Sequence, residues 1–153
     1  MAFDLVQYFL SLNHTAITLI LDHMGFADDI VNFFADYLVG RYTKLFWDNQ
    51  LSDLFSAAVG VGQGSARLSP ILSVLYLASV LWKFHTERPT DIFISYVDDG
   101  TIIVQSKTWK ENLKKLKSSY AVVFQLMSAL GLVLEHDKSE AFYFSRKNCC
   151  MSN

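Results

Sequence analysis

The sequence is short of cysteine, of proline and of net positive charge, and each shortage excludes a class of protein. Its two cysteines, Cys149 and Cys150, are adjacent, so they fit neither a zinc-ligand spacing nor a disulfide framework. We therefore expect an intracellular, reducing setting. Two prolines and seven glycines in 153 residues leave no stretch typical of a flexible linker. The net charge of −2 argues against a free-standing nucleic-acid-binding protein, although it permits a catalytic core whose basic partners lie elsewhere.

No segment has the features of a signal peptide or of a membrane span. The N-terminus has no basic region and places an acidic residue, Asp4, at the fourth position. The longest apolar run, residues 68–84, contains serine and proline and is shorter than the roughly 20 residues that cross a bilayer. With 52% hydrophobic and 18% charged residues, the chain can form one folded domain. We expect the apolar run to be a buried helix of that domain and expect no membrane partner.

Hydrophobic periodicity and turn residues predict an alternation of strands and helices. The predicted elements are, in order, a strand at 3–9, helices at 14–24 and 28–39, a hairpin of 42–47 with 55–59, a glycine-rich turn at 60–65, an apolar helix at 68–84, a hairpin within 93–104, an amphipathic helix at 108–130, and strands at 132–134 and 141–144 around a turn at 136–138. The domain is placed at residues 1–145, before a polar tail at 146–153.

This order predicts an α+β fold. Apart from the first hairpin, which we interpret as a small insertion, it matches a βαββαβ unit: a ferredoxin-like or RRM-like antiparallel sheet with helices on one face. In that unit the first strand lies beside the central hairpin. Asp4 is then expected close to Asp98 and Asp99, although 94 positions separate Asp4 from Asp98.

Asp98 and Asp99 stand between two apolar runs, and Asp-Gly at 99–100 is a strong hairpin signal. The two carboxylates are therefore expected at the tip of a tight hairpin. Hard carboxylate oxygens gathered there, with Asp4 from the neighbouring strand, suit Mg²⁺ or Mn²⁺. Two such ions, about 3.5–4 Å apart, can activate an attacking hydroxyl and stabilise a leaving phosphate oxygen. A solvated Asp-Asp-Gly turn without metal is the other interpretation.

Four blocks of the sequence, in this order, carry a resemblance to a known family: residues 3–13 (FDLVQYFLSLN), 60–70 (GVGQGSARLSP), 96–99 (YVDD) and 131–140 (GLVLEHDKSE). They resemble motifs A, B, C and D of the palm domain of reverse transcriptases, most of all those of fungal non-LTR retrotransposons. The resemblance covers nearly the whole chain. It implies a polymerase palm that works as an RNA-directed DNA polymerase, by nucleotidyl transfer.

The resemblance also implies the metal-binding residues and the cofactors. Asp4 and Asp98 would ligate both metal ions with help from the Leu5 carbonyl, and Asp99 would be a supporting acid close by. Lys138 would act near the leaving pyrophosphate, as a cation or proton donor. A solvated turn lysine is the alternative for Lys138. The implied cofactors are two Mg²⁺ or Mn²⁺ ions, present when nucleotide is bound.

The same resemblance implies the nucleotide and template contacts. Phe9, five residues after Asp4, would be the steric gate that excludes a ribose 2′-hydroxyl. Gln63, Gly64 and Ser65 would lie under the templating base and the incoming nucleotide. A core phenylalanine and an ordinary turn before a helix are the respective alternatives. The implied partners are an RNA template, a DNA primer and dNTP, in the nucleus or in a cytoplasmic ribonucleoprotein.

Two departures from the family pattern bear on activity. The chain begins three residues before Asp4 and stops soon after motif D, so the fingers and thumb of the family are expected to be missing. Motif B usually has one residue between Gln-Gly-Ser and Leu-Ser-Pro, whereas Ala66 and Arg67 stand there in this sequence. We therefore expect a palm fragment that is poorly active or inactive alone. The alternatives are a non-catalytic retrotransposon relic that at most binds RNA, and a nucleotidyl cyclase on a similar palm.

Overall fold

The architecture is mixed α and β, as the sequence predicts. A computed structural model of the protein describes residues 1–57, 59–62 and 68–144. The elements are β1 (Ala2–Leu5), α1 (Tyr8–Ser11), α2 (His14–His23), α3 (Asp28–Leu38), β2 (Tyr42–Thr43), β3 (Phe46–Trp47), β4 (Gln50–Leu51), β5 (Phe55–Ser56), α4 (Leu68–Glu87), β6 (Ile92–Tyr96), β7 (Asp99–Ile103), α5 (Trp109–Ala129) and β8 (Leu134–Glu140). The predicted polar tail at 146–153 lies outside the described residues.

The main sheet has four antiparallel strands in the order β6-β7-β1-β8. The first strand of the chain thus lies between the central hairpin and the last strand. Asp4 is in register with Asp99, and Leu5 is in register with Leu134. The prediction that the first strand lies beside the central hairpin is confirmed, and it brings Asp4 to the acidic end of that hairpin.

Side chains on one face of this sheet form the core with the two long helices. Phe3, Ile102 and Leu134 alternate with more exposed neighbours and are buried, while α4 and α5 pack on β6, on β7 and on each other. The Phe3 ring stacks on Phe93, with ring centroids 6.0 Å apart. Because strand side chains alternate between faces, this burial leaves residues such as Tyr96 exposed on the opposite face.

Helix α4 is the one helix in the described part of the chain that is long and apolar enough, by length and composition only, to cross a membrane. It packs against α2, α5 and β6. The Tyr76 hydroxyl donates to the Leu130 carbonyl at 2.6 Å, and the Tyr8 hydroxyl donates to the Ser73 carbonyl at 2.7 Å. These tertiary contacts are typical of the core helix of a folded domain.

The first strand is shorter than predicted, and Phe9 is not part of it. β1 ends at Leu5, and Gln7 turns the chain with a left-handed φ of 47°. Tyr8 then begins the short helix α1, where its hydroxyl reaches the backbone of α4. The prediction of a strand at 3–9 is wrong beyond Leu5, because a contact with a helix 65 residues away decides the direction of the chain.

The turn of the central hairpin lies two residues earlier than the Asp-Gly pair at 99–100 suggested. Tyr96 pairs with Asp99, so Val97 and Asp98 form the two-residue turn and Asp99 belongs to β7. Gly100 lies in register with Phe3, and a side-chain carbon at Gly100 would overlap the Phe3 ring. The glycine therefore serves the packing between strands and not the turn.

The end of the domain also differs from the prediction. One strand, β8, runs through the expected turn at 136–138, and residues 141–144 form no strand. Ala2 pairs with Glu140 and Asp4 pairs with Glu135, so two steps along β1 correspond to five along β8. The additional residues bulge out of the ladder, as β-bulges do where a side chain is redirected.

The insertion forms two small ribbons and not one hairpin. β2 pairs with β5, and β3 pairs with β4. Asp48 and Asn49 make the tight turn between β3 and β4, with φ of 46° and 62°. Both values are positive, as a type I′ hairpin turn requires. The predicted pairing of 42–47 with 55–59 therefore holds only for β2 with β5, and the strands are shorter than expected.

Candidate functional site

Asp4, Asp98 and Asp99 meet at one end of the main sheet. Asp4 is on β1 opposite Asp99 on β7, and the Leu5 N–H donates to the Asp98 carbonyl at 3.0 Å. This hydrogen bond ties the hairpin turn to the strand that carries Asp4. The backbone therefore places the predicted acids on adjacent strands, as the sequence suggested.

Val97, the residue before Asp98 in the hairpin turn, has an uncommon backbone conformation. Its φ is 57°, in the left-handed region that β-branched residues rarely adopt. Such a conformation costs about 1–3 kcal/mol and persists where the surrounding structure enforces it. Val97 packs against the core, and its neighbour Asp98 is held by Leu5. The turn is thus fixed by tertiary contacts in a shape that its own sequence does not favour.

Lys138 reaches this acidic end from β8. Its Nζ lies 3.1 Å from Oδ2 of Asp4, with the two side chains 65% and 27% exposed. The hydrogen bond from Lys138 to Asp4 and the negative charge of Asp4 raise the pKa of Lys138, and the charges of Glu135 and Asp98 act in the same direction. The bulge in β8 is what brings Lys138 to Asp4, across 134 positions of sequence.

The donor chemistry of this end fits a hard divalent cation, but the carboxylates do not converge on one point. No group of three acidic, histidine or cysteine side chains in the described part of the chain is close enough to hold a metal ion. One oxygen of Asp4 is engaged by Lys138. A divalent ion that bound Asp4 through Oδ2 would have to displace the Lys138 ammonium.

Phe9 lies on α1, partly buried against the core, with its ring 5.6 Å from the Tyr8 ring. Its carbonyl accepts a hydrogen bond from the Val61 N–H at 2.7 Å. This bond joins the segment after β1 to the beginning of the glycine-rich segment, which we define as residues 59–65. The structure thus connects Phe9 to a residue two positions before Gln63 in the sequence.

Only the first half of the glycine-rich segment is described, because Gln63, Gly64, Ser65 and the inserted Ala66 and Arg67 lie outside the described residues. The Gly60 N–H donates to the Leu12 carbonyl at 2.8 Å, and Gly60 has a φ of 91°. At the other end, the Ser69 hydroxyl donates to the Gly62 carbonyl at 2.6 Å. The approach to the predicted template contact is therefore anchored on both sides.

Two basic residues that the sequence did not single out lie beside this segment. His14 Nε2 is 2.8 Å from the Gly60 carbonyl oxygen. The Arg41 guanidinium is the group nearest to where a side chain on Gly62 would lie, at 3.9 Å. Neither residue falls in a motif, so only the folded arrangement of α2 and the insertion reveals them.

The chain is similar to a known protein family. The model of a family described as "Reverse transcriptase (RNA-dependent DNA polymerase)" matches residues 1–150. A comparison with curated proteins found no match.

Proposed function

Since the chain belongs to the reverse transcriptase (RNA-dependent DNA polymerase) family, we propose that it is the palm fragment of an enzyme that joins deoxynucleotides to a DNA primer on an RNA template, and that it is poorly active or inactive alone. The observation that carries this proposal is the pairing of Asp4 with Asp99, beside an Asp98 that is bonded to Leu5. This pairing supports metal binding by acids that lie far apart in the sequence and come together at one end of the sheet. We further propose that the fragment derives from a fungal non-LTR retrotransposon.

In this proposal Asp4 and Asp98 hold Mg²⁺ or Mn²⁺ with the Leu5 carbonyl, and Asp99 supports them. The bound ions would supply activation of the primer hydroxyl and stabilisation of the leaving phosphate oxygens. Lys138 is protonated at neutral pH, because the ordinary pKa of a lysine, 10.5, lies well above 7 and contact with Asp4 raises it further. Once released from Asp4, its Nζ–H can donate to the leaving pyrophosphate.

We propose that Phe9 and the glycine-rich segment complete the nucleotide site. The bond between the Phe9 carbonyl and the Val61 N–H supports this, because it holds the two parts at a fixed separation. Phe9 would exclude a ribose 2′-hydroxyl, while Gln63, Gly64 and Ser65 would contact the templating base and the incoming nucleotide. Glycine suits the last role because it permits close approach of a ligand to the backbone.

Binding of Mn²⁺ tests the metal assignment without requiring catalysis. We expect weak binding by the wild-type chain, and a further loss of about tenfold in affinity for Asp4→Asn, because a carboxylate ligand is removed. Lys138→Met should instead raise the affinity about threefold, because the ammonium that competes for Asp4 is gone. The fraction of free Mn²⁺ can be measured by electron paramagnetic resonance.

Asp137→Asn is the matched control, because Asp137 is exposed on the same strand as Lys138 and has the same charge as Asp4. It should leave the affinity unchanged. An equal loss from Asp4→Asn and Asp137→Asn would mean that Mn²⁺ binds by net charge alone, and it would reject the metal assignment.

Primer extension tests the expected low activity. On a poly(rA)–oligo(dT) template the isolated chain should give little or no extension, because positioning of template, primer and nucleotide supplies most of this kind of catalysis. A chain of net charge −2 also attracts nucleic acid weakly. Robust extension that Asp98→Asn abolishes would overturn the expectation of low activity and would support the catalytic assignment.

A second candidate is a non-catalytic module that binds RNA. The exposed Tyr96, on the face of the sheet away from the helices, favours it, since RNA-binding sheets stack bases on exposed aromatics. The same face carries Asp4 and Asp99, which repel a phosphate backbone. We rank this function lower for that reason. It predicts RNA binding that needs no Mn²⁺ and that Asp4→Asn does not weaken.

A further inference from the structure

We propose that a pocket beside the glycine-rich segment binds a backbone phosphate of a single-stranded nucleic acid, with Arg41 as its main contact. The pocket is a cavity of about 320 Å³ where α2, the end of α3 and the β2–β5 ribbon meet. Its polar lining consists of His14, Thr15, Thr18, Arg41 and Ser56. This inference rests on the proposed function, since it names a contact for the strand that the glycine-rich segment would hold.

The charge of the lining selects an anion. None of the described residues that line the pocket is an aspartate or glutamate, although the chain has 15 acidic residues against 13 lysines and arginines. Arg41 forms no salt bridge with any residue that the structure describes. A guanidinium without a carboxylate partner in a concave, acid-free site is a natural ligand for phosphate, which it can contact with two parallel N–H groups.

The orientation of Arg41 is already restricted. Its Cζ lies over the Tyr37 ring, 5.1 Å from the centroid, and its backbone carbonyl accepts a hydrogen bond from the Ala57 N–H at 2.8 Å. Stacking on an aromatic face holds the plane of the guanidinium and leaves its N–H edge available. Less conformational entropy is then lost when an anion binds.

Hydroxyl groups complete a donor-rich wall. The Thr18 hydroxyl donates to the Thr15 carbonyl at 2.9 Å, whereas no hydrogen bond of the described residues uses the Thr15 hydroxyl. Both threonines lie in the first turns of α2, where the partial positive charge of a helix N-terminus adds to the attraction from Arg41. The site therefore does not depend on one side chain alone.

The location of the pocket favours a nucleic-acid strand over a free anion. His14, in the lining, donates through Nε2 to the Gly60 carbonyl, because a carbonyl oxygen can only accept. Arg41 is adjacent to Gly62. Both residues thus contact the segment that leads directly into Gln63. A strand that contacts residues 60–62 would therefore have its backbone close to Arg41.

The test is the binding of a fluorescein-labelled single-stranded oligo(rA) by the full chain at low ionic strength, followed by fluorescence anisotropy. Arg41→Gln should weaken binding about fivefold and lower the slope of log affinity against log salt by about 0.7, the value for one phosphate contact on a single strand. Arg41→Lys should recover part of the affinity, because the charge returns without the bidentate geometry.

Lys110→Gln is the matched control, because it makes the same change in charge at an exposed position in the first turn of α5. It should change affinity less than twofold. Thr15→Val, which conserves shape, gives a second variant in case Arg41→Gln fails to fold, and it should weaken binding about twofold. Equal losses from Arg41→Gln and Lys110→Gln, or no binding by the wild-type chain, would overturn the proposal.

Competition with a free anion distinguishes a site for a nucleic-acid phosphate from a site for free phosphate. Inorganic pyrophosphate, at the same concentration of phosphate groups as the oligonucleotide, should leave the oligonucleotide bound. Displacement at that concentration would mean a site for free anions and would overturn the assignment to a strand. Mn²⁺ affinity should be unchanged in Arg41→Gln. If Asp4-dependent Mn²⁺ binding persists while Arg41→Gln has no effect on RNA binding, only the pocket is rejected and the proposed function stands.

Discussion

Replacing Asp91 with alanine should lower the free energy of unfolding by about 3 kcal/mol, because it removes the centre of a buried network of charges. The Asp91 side chain is fully buried between the end of α4 and the start of β6. It accepts from Lys115 Nζ at 2.6 Å, from Arg88 Nε at 3.1 Å and from the Ser119 hydroxyl at 2.5 Å. Urea denaturation followed by circular dichroism measures the loss.

The expected loss lies at the lower end for a broken buried ion pair. The Arg88 and Lys115 side chains are 24% and 25% exposed, so both can turn to water when the carboxylate is gone. The Ser119 hydroxyl is buried and would keep an unsatisfied donor, which costs about 1–3 kcal/mol. Asp137→Ala, at an exposed position, is the control and should change stability by less than about 0.5 kcal/mol. A loss below about 1 kcal/mol in Asp91→Ala would contradict the role given to the network.

The pH dependence of this loss gives an independent check. Burial tends to raise the pKa of Asp91, but hydrogen bonds from Lys115, Ser119 and Thr90, with the charge of Lys115, hold that pKa below its ordinary value of 3.8. A carboxyl with a depressed pKa stabilises the folded state above its unfolded pKa, and this stabilisation is lost as the pH falls through the folded pKa. The difference between wild type and Asp91→Ala should therefore be complete at neutral pH and should shrink below about pH 3.8.

Replacing Gly100 with alanine should cost about 3 kcal/mol, because the new methyl group would occupy the space of the Phe3 ring. Phe3 is buried, and it contacts Phe93 and Tyr120, with the Tyr120 ring centroid 6.1 Å away. Because the ring is buried among these aromatic neighbours, relief of the overlap requires that β1 separate from β7 or that the ring leave the core. The same denaturation measurement gives the size of the effect.

A double mutant separates this overlap from a general effect of alanine in a strand. Phe3→Leu removes the ring, so Phe3→Leu with Gly100→Ala should be less destabilised than the sum of the two single variants. Gly62→Ala is the control, because the nearest group to its added carbon is the Arg41 guanidinium at an ordinary 3.9 Å. It should change stability by less than about 0.5 kcal/mol. Strict additivity of the two variants would contradict the overlap.

Much of the helical framework could be predicted from local sequence. The predicted helix at 108–130 agrees closely with α5, whose cap is the Thr108 hydroxyl bonded to the Glu111 N–H. Likewise, Asn13 caps α2 through the Ala16 N–H. Capping and apolar periodicity act between residues within a turn or two of each other, so the sequence alone contains the information.

For the candidate site, too, some features could be predicted from the sequence and others could not. The presence of Asp4, Asp98 and Lys138 at one end of the sheet was expected from the motifs and their order. The contact between Lys138 and Asp4 was not, because it depends on a bulge in β8 that forms only against β1. His14 and Arg41 were missed for a similar reason: they approach the glycine-rich segment from different elements and share no spacing with it.

The sequence by itself determined the four longer helices α2 to α5, that the first strand pairs with the central hairpin, and which acids could meet there. Only the tertiary structure decided that the hairpin turns at Val97 and Asp98, that Phe9 lies on a helix, and that Lys138 engages Asp4. The physical reason is the range of the interactions. Helix caps and periodicity are local, whereas turn position, strand length and register here are set by Phe3 against Gly100, Tyr8 against Ser73, and β8 against β1.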